Sequence, residues 1–214
     1  MAETHGLPAG PRALSRLERQ LSFITEIDKL KQVLRHTSLL DGSRRENDAE
    51  HCWHLSLMAV VLMEHAAGEI DIRRVLTMLL IHDIVEIDTG DALLYDETDA
   101  TARAACERQA AERIFGMLPP DQAHALRALW NEFEARESAD AKFARALDRL
   151  QPLLQNHRNE GGTWRQFGIT AEQVLARKNI IADGSPVLCD LAMRLIEDSV
   201  RRGYLAASPT ESTP

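Results

Sequence analysis

Aromatic side chains are scarce in this chain: three Trp, two Tyr and five Phe make up 5% of 214 residues. Glycine (11) and proline (8) are few as well. The remainder is rich in Ala, Leu, Arg and Glu, which lose little rotamer freedom in a helix. No segment alternates apolar and polar residues long enough to suggest a sheet, and there is no internal repeat. Only three cysteines occur, Cys52, Cys106 and Cys189, odd in number and far apart. That pattern fits reduced buried thiols better than a disulfide framework. Positive charge is in deficit, with 25 Lys and Arg against 33 Asp and Glu and a net charge of −8. Such a field repels a long phosphate backbone, so a duplex-binding module is not expected. No apolar run approaches the roughly 18–20 residues that span a bilayer. The longest candidate, near Val60, is interrupted by Glu64 and His65. The N-terminus carries no basic segment followed by an apolar run and cleavage site, so the expected location is the cytoplasm, with no membrane partner. A His-Glu-x-x-His helix, a Walker-type glycine loop and a Cys-x-x-Cys pair are all missing, which removes three competing metal or nucleotide readings.

What is present suits one sizeable core. Apolar residues are 44% and charged residues 27%, the balance of a soluble globular domain. The ends, 1–12 and 205–214, lack a periodic apolar pattern and are expected to be flexible, leaving one domain over 13–204. Within it the spacing predicts an all-α bundle of about seven to eight helices. A first helix is expected from Leu14 to about Leu34, on the stripe Leu17, Leu21, Ile24, Ile27, Leu30 and Leu34. A second starts after Asn47 or Asp48, either of which can cap it, and runs to Ala67 before Gly68. A third, Ile72 to Ile87, is apolar nearly all round and should be central. Further helices are expected at 99–117, 121–136, 138–157, 171–181 and 187–202, with a turn-rich connector from Asn159 to Gly168.

A histidine beside an aspartate in the most apolar helix is costly unless something compensates both. For His82-Asp83 the bland answer is a satisfied buried hydrogen-bond pair. The surroundings offer another. Two antiparallel helices joined near Gly68 can bring His51 level with His82, and Asp148 sits between leucines in Ala146-Leu147-Asp148-Arg149-Leu150. Two imidazoles and two carboxylates form a nitrogen/oxygen set suited to a divalent transition metal that leaves positions open for water and substrate.

The order and spacing of three segments carry a resemblance. They are Arg45-Glu46-Asn47-Asp48-Ala49-Glu50-His51, then His82-Asp83-Ile84-Val85-Glu86-Ile87-Asp88-Thr89-Gly90-Asp91, then Ala146 to Leu150. Over about residues 17–200 the chain resembles the HD-domain metal-dependent phosphohydrolases, in the branch of the 5'-deoxynucleotidases. The resemblance implies that His51, His82, Asp83 and Asp148 hold one divalent cation (Mn, Co, Ni, Zn, Fe or Mg). It further implies an all-α fold and hydrolysis of a small phosphomonoester, most directly a nucleoside or deoxynucleoside 5'-monophosphate. Glu86 is then the candidate for proton transfer, on nearly the same helical face as His82, and Asp91 for holding water or sugar. A solvated helix-end carboxylate and a plain turn residue are the alternatives for these two. Arg44 and Arg45, just before the first motif, are the phosphate candidates, since guanidinium donates paired hydrogen bonds to phosphate. Arg149 reads equally as an ion-pair partner of Asp148. The family's bacterial deoxynucleotidases carry an Arg-Trp pair shortly before the first motif, and counting back from Glu46 places His36 and Thr37 there. Sugar reading would then pass to other residues, such as Trp53 or Trp164. His54 is a possible neighbour of the metal set. Two other readings stay open: another phosphorylated substrate such as a nucleoside triphosphate, or a non-catalytic metal-binding interaction protein. A homodimer is expected from apolar faces beyond what one core needs.

Overall fold

The computed structural model describes residues 13–92 and 100–207. The expected flexible segment 1–12 and most of 205–214 lie outside these residues. The chain is helical, as its composition predicts, with one small two-stranded sheet that the pattern does not announce.

Helix α1 (Arg16–Ile27) begins at Ser15, whose side chain accepts from the Glu18 N–H while Glu18 reaches back to the cap, a reciprocal capping box. It stops short of the expected Leu34. Asp28–Gln32 tightens into a 3₁₀ turn, and the chain then extends as strand β1 (Leu34–Ser38). Strand β2 (Arg45–Asn47) pairs antiparallel to it, with an irregular register between Leu34 and Ser38. A helical stripe through Leu30 and Leu34 is therefore an accident of spacing across two different conformations. Helix α2 (Asp48–Leu62) starts from Asn47, which caps it together with Glu50 in a second capping box. Helix α3 (Ile72–Ile81) is capped by Asp71.

The expected continuous helix to Ile87 breaks at His82. Residues 82–85 turn through i→i−3 hydrogen bonds, among them Ile84 N–H to Ile81 O (3.3 Å) and Glu86 N–H to Asp83 O (2.9 Å). A short helix α4 (Glu86–Thr89) follows. Gly90 ends it at φ 73°, and its N–H satisfies the Glu86 carbonyl. A left-handed residue of that kind suits glycine and turns Asp91 back toward the sheet.

The remaining helices follow the expected spans, with the connector and the penultimate helix subdivided: α5 (Ala100–Phe115), α6 (Pro120–Ala135), α7 (Ala139–Arg158), α8 (Gly162–Gln166), α9 (Ala171–Leu175), α10 (Lys178–Gly184) and α11 (Pro186–Arg201). Helix α7 is the axis, packed against α2, α3, α6, α10 and α11. Gly184 lets α10 approach it closely: a Cβ there would collide with the Lys142 carbonyl and lie 2.7 Å from Ala146 Cβ. Leu205 is buried in this core and Ala206 bridges to Thr170, so the fold extends past the expected boundary at 204.

Two apolar clusters result. One surrounds α7 with Leu55, Leu79, Phe133 and Leu147; the other joins α1, α5 and α6 with Ile81, Ile84 and Val85. The polar residues of the motifs lie where these clusters meet.

Candidate metal centre

Packing of α2 on α3 brings the two motif histidines together, with ring centroids 5.6 Å apart. Each ring has its Nδ1 occupied. The Nδ1 of His51 lies 3.2 Å from the Gln151 carbonyl oxygen, and that of His82 lies 2.9 Å from the Leu79 carbonyl. An acceptor at Nδ1 fixes the proton there and leaves the Nε2 lone pair free, the usual arrangement behind a metal-binding imidazole. Both Nε2 atoms face Asp148 Oδ1, at 3.2 Å from His51 and 3.7 Å from His82. Asp83 flanks them, its two oxygens 3.2 Å from His82 Nε2 and 3.8 Å from His51 Nε2. The Nε2 of His82 is buried without an aligned hydrogen-bond partner. His51, His82 and Asp148 offer ligand atoms that all lie within 4.8 Å of one another. These donors fit a divalent cation: two imidazole nitrogens and carboxylate oxygens converge on one point in a buried setting.

The electrostatics agree. Burial disfavours a charged His82, but Asp83, Cys52 and Asp148 outweigh it and hold its pKa well above the ordinary value. Burial likewise opposes ionised Asp83 and Asp148. His82 and Arg35 nonetheless hold Asp83 below its ordinary range, while Arg149 and the two histidines do the same for Asp148. The carboxylates are thus held ionised by positive neighbours, and a cation bound among them would take the place of the proton that charges His82.

A second shell of acid surrounds Arg35, which projects from β1. Its guanidinium donates to Asp83 (2.8 Å) and Asp48 (3.2 Å). Burial and the charge of Asp83 push Asp48 up to about 6, against Arg35 and a hydrogen bond from Glu86. Burial, Asp83 and Asp48 push Glu86 well above the carboxylate range. Asp91 is raised mainly by burial and accepts the His36 N–H at 2.7 Å, tying the end of α4 to β1. Glu86 therefore meets the centre from a separate short helix rather than from one continuous face shared with His82.

Beside this cluster lies a cavity of about 200 Å³, lined by His82, Asp83, Glu86, Asp91 and Asp148 among others. Arg35, Arg103, Arg145 and Arg149 supply its positive side. Arg44 and Arg45 do not. Arg44 pairs with Glu50 on the exposed side of α2 (2.7 and 2.8 Å), and Arg45 donates to the Leu34 and Arg35 carbonyls. Both are held by local backbone and helix-end partners, which proximity in sequence to the first motif does not reveal. The residues counted back from Glu46, His36 and Thr37, line the cavity, and Arg35 directly before them stands in its wall. Trp53 is 64% exposed and Trp164 is a core residue, so neither lines the cavity. The connector contributes Thr163 instead. His54 lies 3.4 Å from the Gln151 amide, outside the cluster.

Other residues carry no motif of their own. Gln151 donates to both oxygens of Glu46 (2.9 and 3.1 Å) while accepting from His51. Trp130 donates its indole N–H to the His82 carbonyl (3.1 Å). Gln151 stands three residues after Asp148 on α7, a spacing that would have placed it beside the carboxylate. Trp130 gives no such signal.

Known proteins share this framework. A solved structure from Magnetospirillum magnetotacticum, described as a predicted metal-dependent phosphohydrolase, is 55% identical, with TM-score 0.85, covering 89% of this chain and 98% of that one. The protein named 5'-deoxynucleotidase HDDC2 of Homo sapiens is 29% identical over 63% of this chain and 65% of its own length, so the match spans somewhat less than two thirds of that relative. Its namesake from Danio rerio is 26% identical over 73% of this chain and 80% of its own. The HD domain family matches residues 27–188, from the 3₁₀ turn through the start of α11 and so across all three motifs, and the chain belongs to that family.

Proposed function

We propose that this protein is a metal-dependent phosphohydrolase that cleaves (deoxy)nucleoside 5'-monophosphates to nucleoside and phosphate. The observation that carries the reading is the convergence of His51 Nε2, His82 Nε2 and Asp148 Oδ1, with both Nδ1 atoms occupied, at the wall of a cavity bearing four arginines. The names of the relatives point to the same chemistry.

His51, His82, Asp83 and Asp148 would hold one divalent cation, its identity set by affinity order and availability. When bound, such a cation supplies Lewis acidity, making water a stronger acid and drawing charge from the phosphoryl oxygens. In the overall reaction water adds to phosphorus, the bond to the 5'-oxygen breaks, and that oxygen leaves with a proton. Glu86 faces the cavity and has a buried Oε2 with no partner among the described residues, which suits it to carry the proton. Asp91 positions the strand bearing Arg35 and His36 through the His36 N–H and presents its carboxylate to water or sugar. Arg35 holds Asp83 and Asp48 in place and gives the cavity positive charge. His36 and Thr37 stand where counting back from Glu46 places the Arg-Trp pair of the bacterial deoxynucleotidases, so discrimination against ribose is expected to be weaker.

No helix among the described residues is long and apolar enough to cross a membrane. A cytoplasmic location is part of the proposal, supported by three free cysteines. So is a homodimer. Leu17, Leu21 and Ile24 on α1 are exposed and form an apolar groove with Leu118 and Leu126. Light scattering giving 24.0 kDa rather than twice that mass would overturn the dimer.

The function is tested by phosphate release from ribo- and deoxyribonucleoside 5'-monophosphates. Stripped protein receives Mn, Co, Zn, Ni or Mg in turn, with Asp83→Ala as blank. Release that needs both metal and Asp83 supports the reading, and the ribose-to-deoxyribose ratio measures the effect of His36. No release from a metal-loaded protein refutes the nucleotidase assignment.

A further inference from the structure

We infer that Arg149 is the side chain that grips the substrate's terminal phosphate, an inference that rests on the phosphohydrolase reading above. Each of the four cavity arginines faces an acid, and they differ in how firmly that acid holds them. Arg35 is held by Asp83 and Asp48. Arg145 is fixed between Glu134 (3.0 Å) and Asp148 Oδ2 (3.1 Å), with its guanidinium 4.4 Å above the Phe133 ring. Arg103 lies in the field of Glu107.

Arg149 differs. Its guanidinium donates no hydrogen bond among the described residues, and its Nε is buried without a partner. Its nearest acid oxygen, Asp148 Oδ2, is 3.7 Å away and already accepts from Arg145. A guanidinium whose side chain is only 18% exposed, and whose five donors lack an aligned acceptor, favours an anion.

Its position supplies the reason for phosphate. On α7 the residues Arg145, Asp148, Arg149, Pro152 and Asn156 follow one another at helical spacing and all line the cavity. Arg149 is therefore at the level of Asp148, beside the point where the two Nε2 atoms converge. An anion that reaches that point comes within the reach of this guanidinium. A phosphomonoester dianion has three non-bridging oxygens, enough to face the His–Asp centre and still accept two parallel N–H bonds. A phosphodiester has two such oxygens and one charge fewer. Arg149 accordingly selects terminal phosphomonoesters.

The test is calorimetric titration of inorganic phosphate into the Mn-loaded full chain, with metal content measured on the same samples. Arg149→Met is expected to weaken phosphate binding by roughly 10- to 100-fold while metal content stays at the wild-type level. Arg149→Lys, which keeps the charge but loses the planar fork, should fall between and carries the test where the Met variant does not fold. Phosphate binding within twofold of wild type in either variant overturns the inference. So does loss of metal in both, since Arg149 would then be a support for Asp148. Absence of phosphate binding by the loaded wild type overturns it as well. The two readings fail separately. Nucleotide turnover with unchanged phosphate binding in Arg149→Met refutes Arg149 alone, whereas weakened phosphate binding without nucleotide turnover refutes the nucleotide substrate alone.

Discussion

Replacing Gln151 by leucine isolates the arrangement that aims His51. Gln151 is 1% exposed, and its amide makes three contacts with residues of the first motif: one from His51 Nδ1 and two to Glu46. Leucine keeps the volume and removes all three. The imidazole then loses the acceptor that fixes its proton on Nδ1, and a ring free to change tautomer or tilt is a poorer ligand at Nε2. Outer partners of this kind are worth about 10–100-fold in metal affinity, or about 1.4–2.7 kcal/mol. Glu46 shares the effect. It is buried, and it is held below its ordinary pKa, against burial, by His51, Gln155 and Gln151. Losing two donors to a buried carboxylate costs a further ~1.5–3 kcal/mol of folding stability. The assay is competition for Mn or Zn against a chromophoric chelator, with thermal melting on the same samples. His54→Ala is the control, because His54 touches the same amide without touching His51; its affinity should remain within twofold of wild type. Metal affinity in a folded Gln151→Leu protein equal to wild type within twofold would refute the claim that Gln151 directs His51.

Glu86→Gln should abolish nucleotide turnover while metal content, read by elemental analysis, is retained; residual turnover near the wild-type rate removes Glu86 from the proton path. Stripping the metal should lower the melting temperature, because a ligand at about 100 times its Kd adds about 2.7 kcal/mol to the folded state. An unchanged melting curve after chelation, verified by elemental analysis, contradicts the buried His–Asp centre as a metal site. Gly184→Ala forces a methyl group into the Lys142 carbonyl and Ala146. The expected cost is about 1–3 kcal/mol, or roughly 2–12 °C in melting temperature, and a neutral result would mean that α10 can shift away from α7.

The helices were legible wherever one face packs and a capping residue marks the start, as at Asn47 before α2. Where periodicity continued across a change of conformation, it misled. Leu30 and Leu34 extend the α1 stripe on paper, yet one lies in a 3₁₀ turn and the other begins a strand. The same holds at His82, where apolar residues Ile84 and Val85 continue the pattern of α3 although the backbone has tightened into a turn. Both breaks serve the cavity. The first delivers Arg35 from an extended segment, and the second leaves both Asp83 and Glu86 at the cavity, with carboxylate oxygens within 4.8 Å of each other. The proximity of His51, His82, Asp83 and Asp148 was readable because buried histidine and aspartate on apolar helices require compensation. The place of Arg35 in the cavity wall was not readable, because it depends on a strand too short to alternate.

Buried polar atoms without a partner are uncommon in folded proteins, and most of those among the described residues belong to side chains that line one cavity. Among those whose residues line the cavity, Arg35 Nε, Arg145 Nε and Arg149 Nε are donors from β1 and α7, while Glu86 Oε2 from α4 and His82 Nε2 from the turn after α3 are an acceptor and a lone pair. Each unsatisfied group costs about 1–3 kcal/mol, large against a net stability of about 5–15 kcal/mol. One apolar cluster packs α7 against α2 and α3 and the other packs the end of α3 against α1, α5 and α6, which fixes the backbone that carries these groups. Donors and acceptors that keep unsatisfied atoms beside their ion pairs in a buried site are prepared for a bound pair of opposite charges, a cation on the acceptor side and an anion on the donor side. A residue kept only for stability would have relieved that cost by moving into contact with its neighbour. Arg149, 3.7 Å from an oxygen that already has a better partner, has not done so.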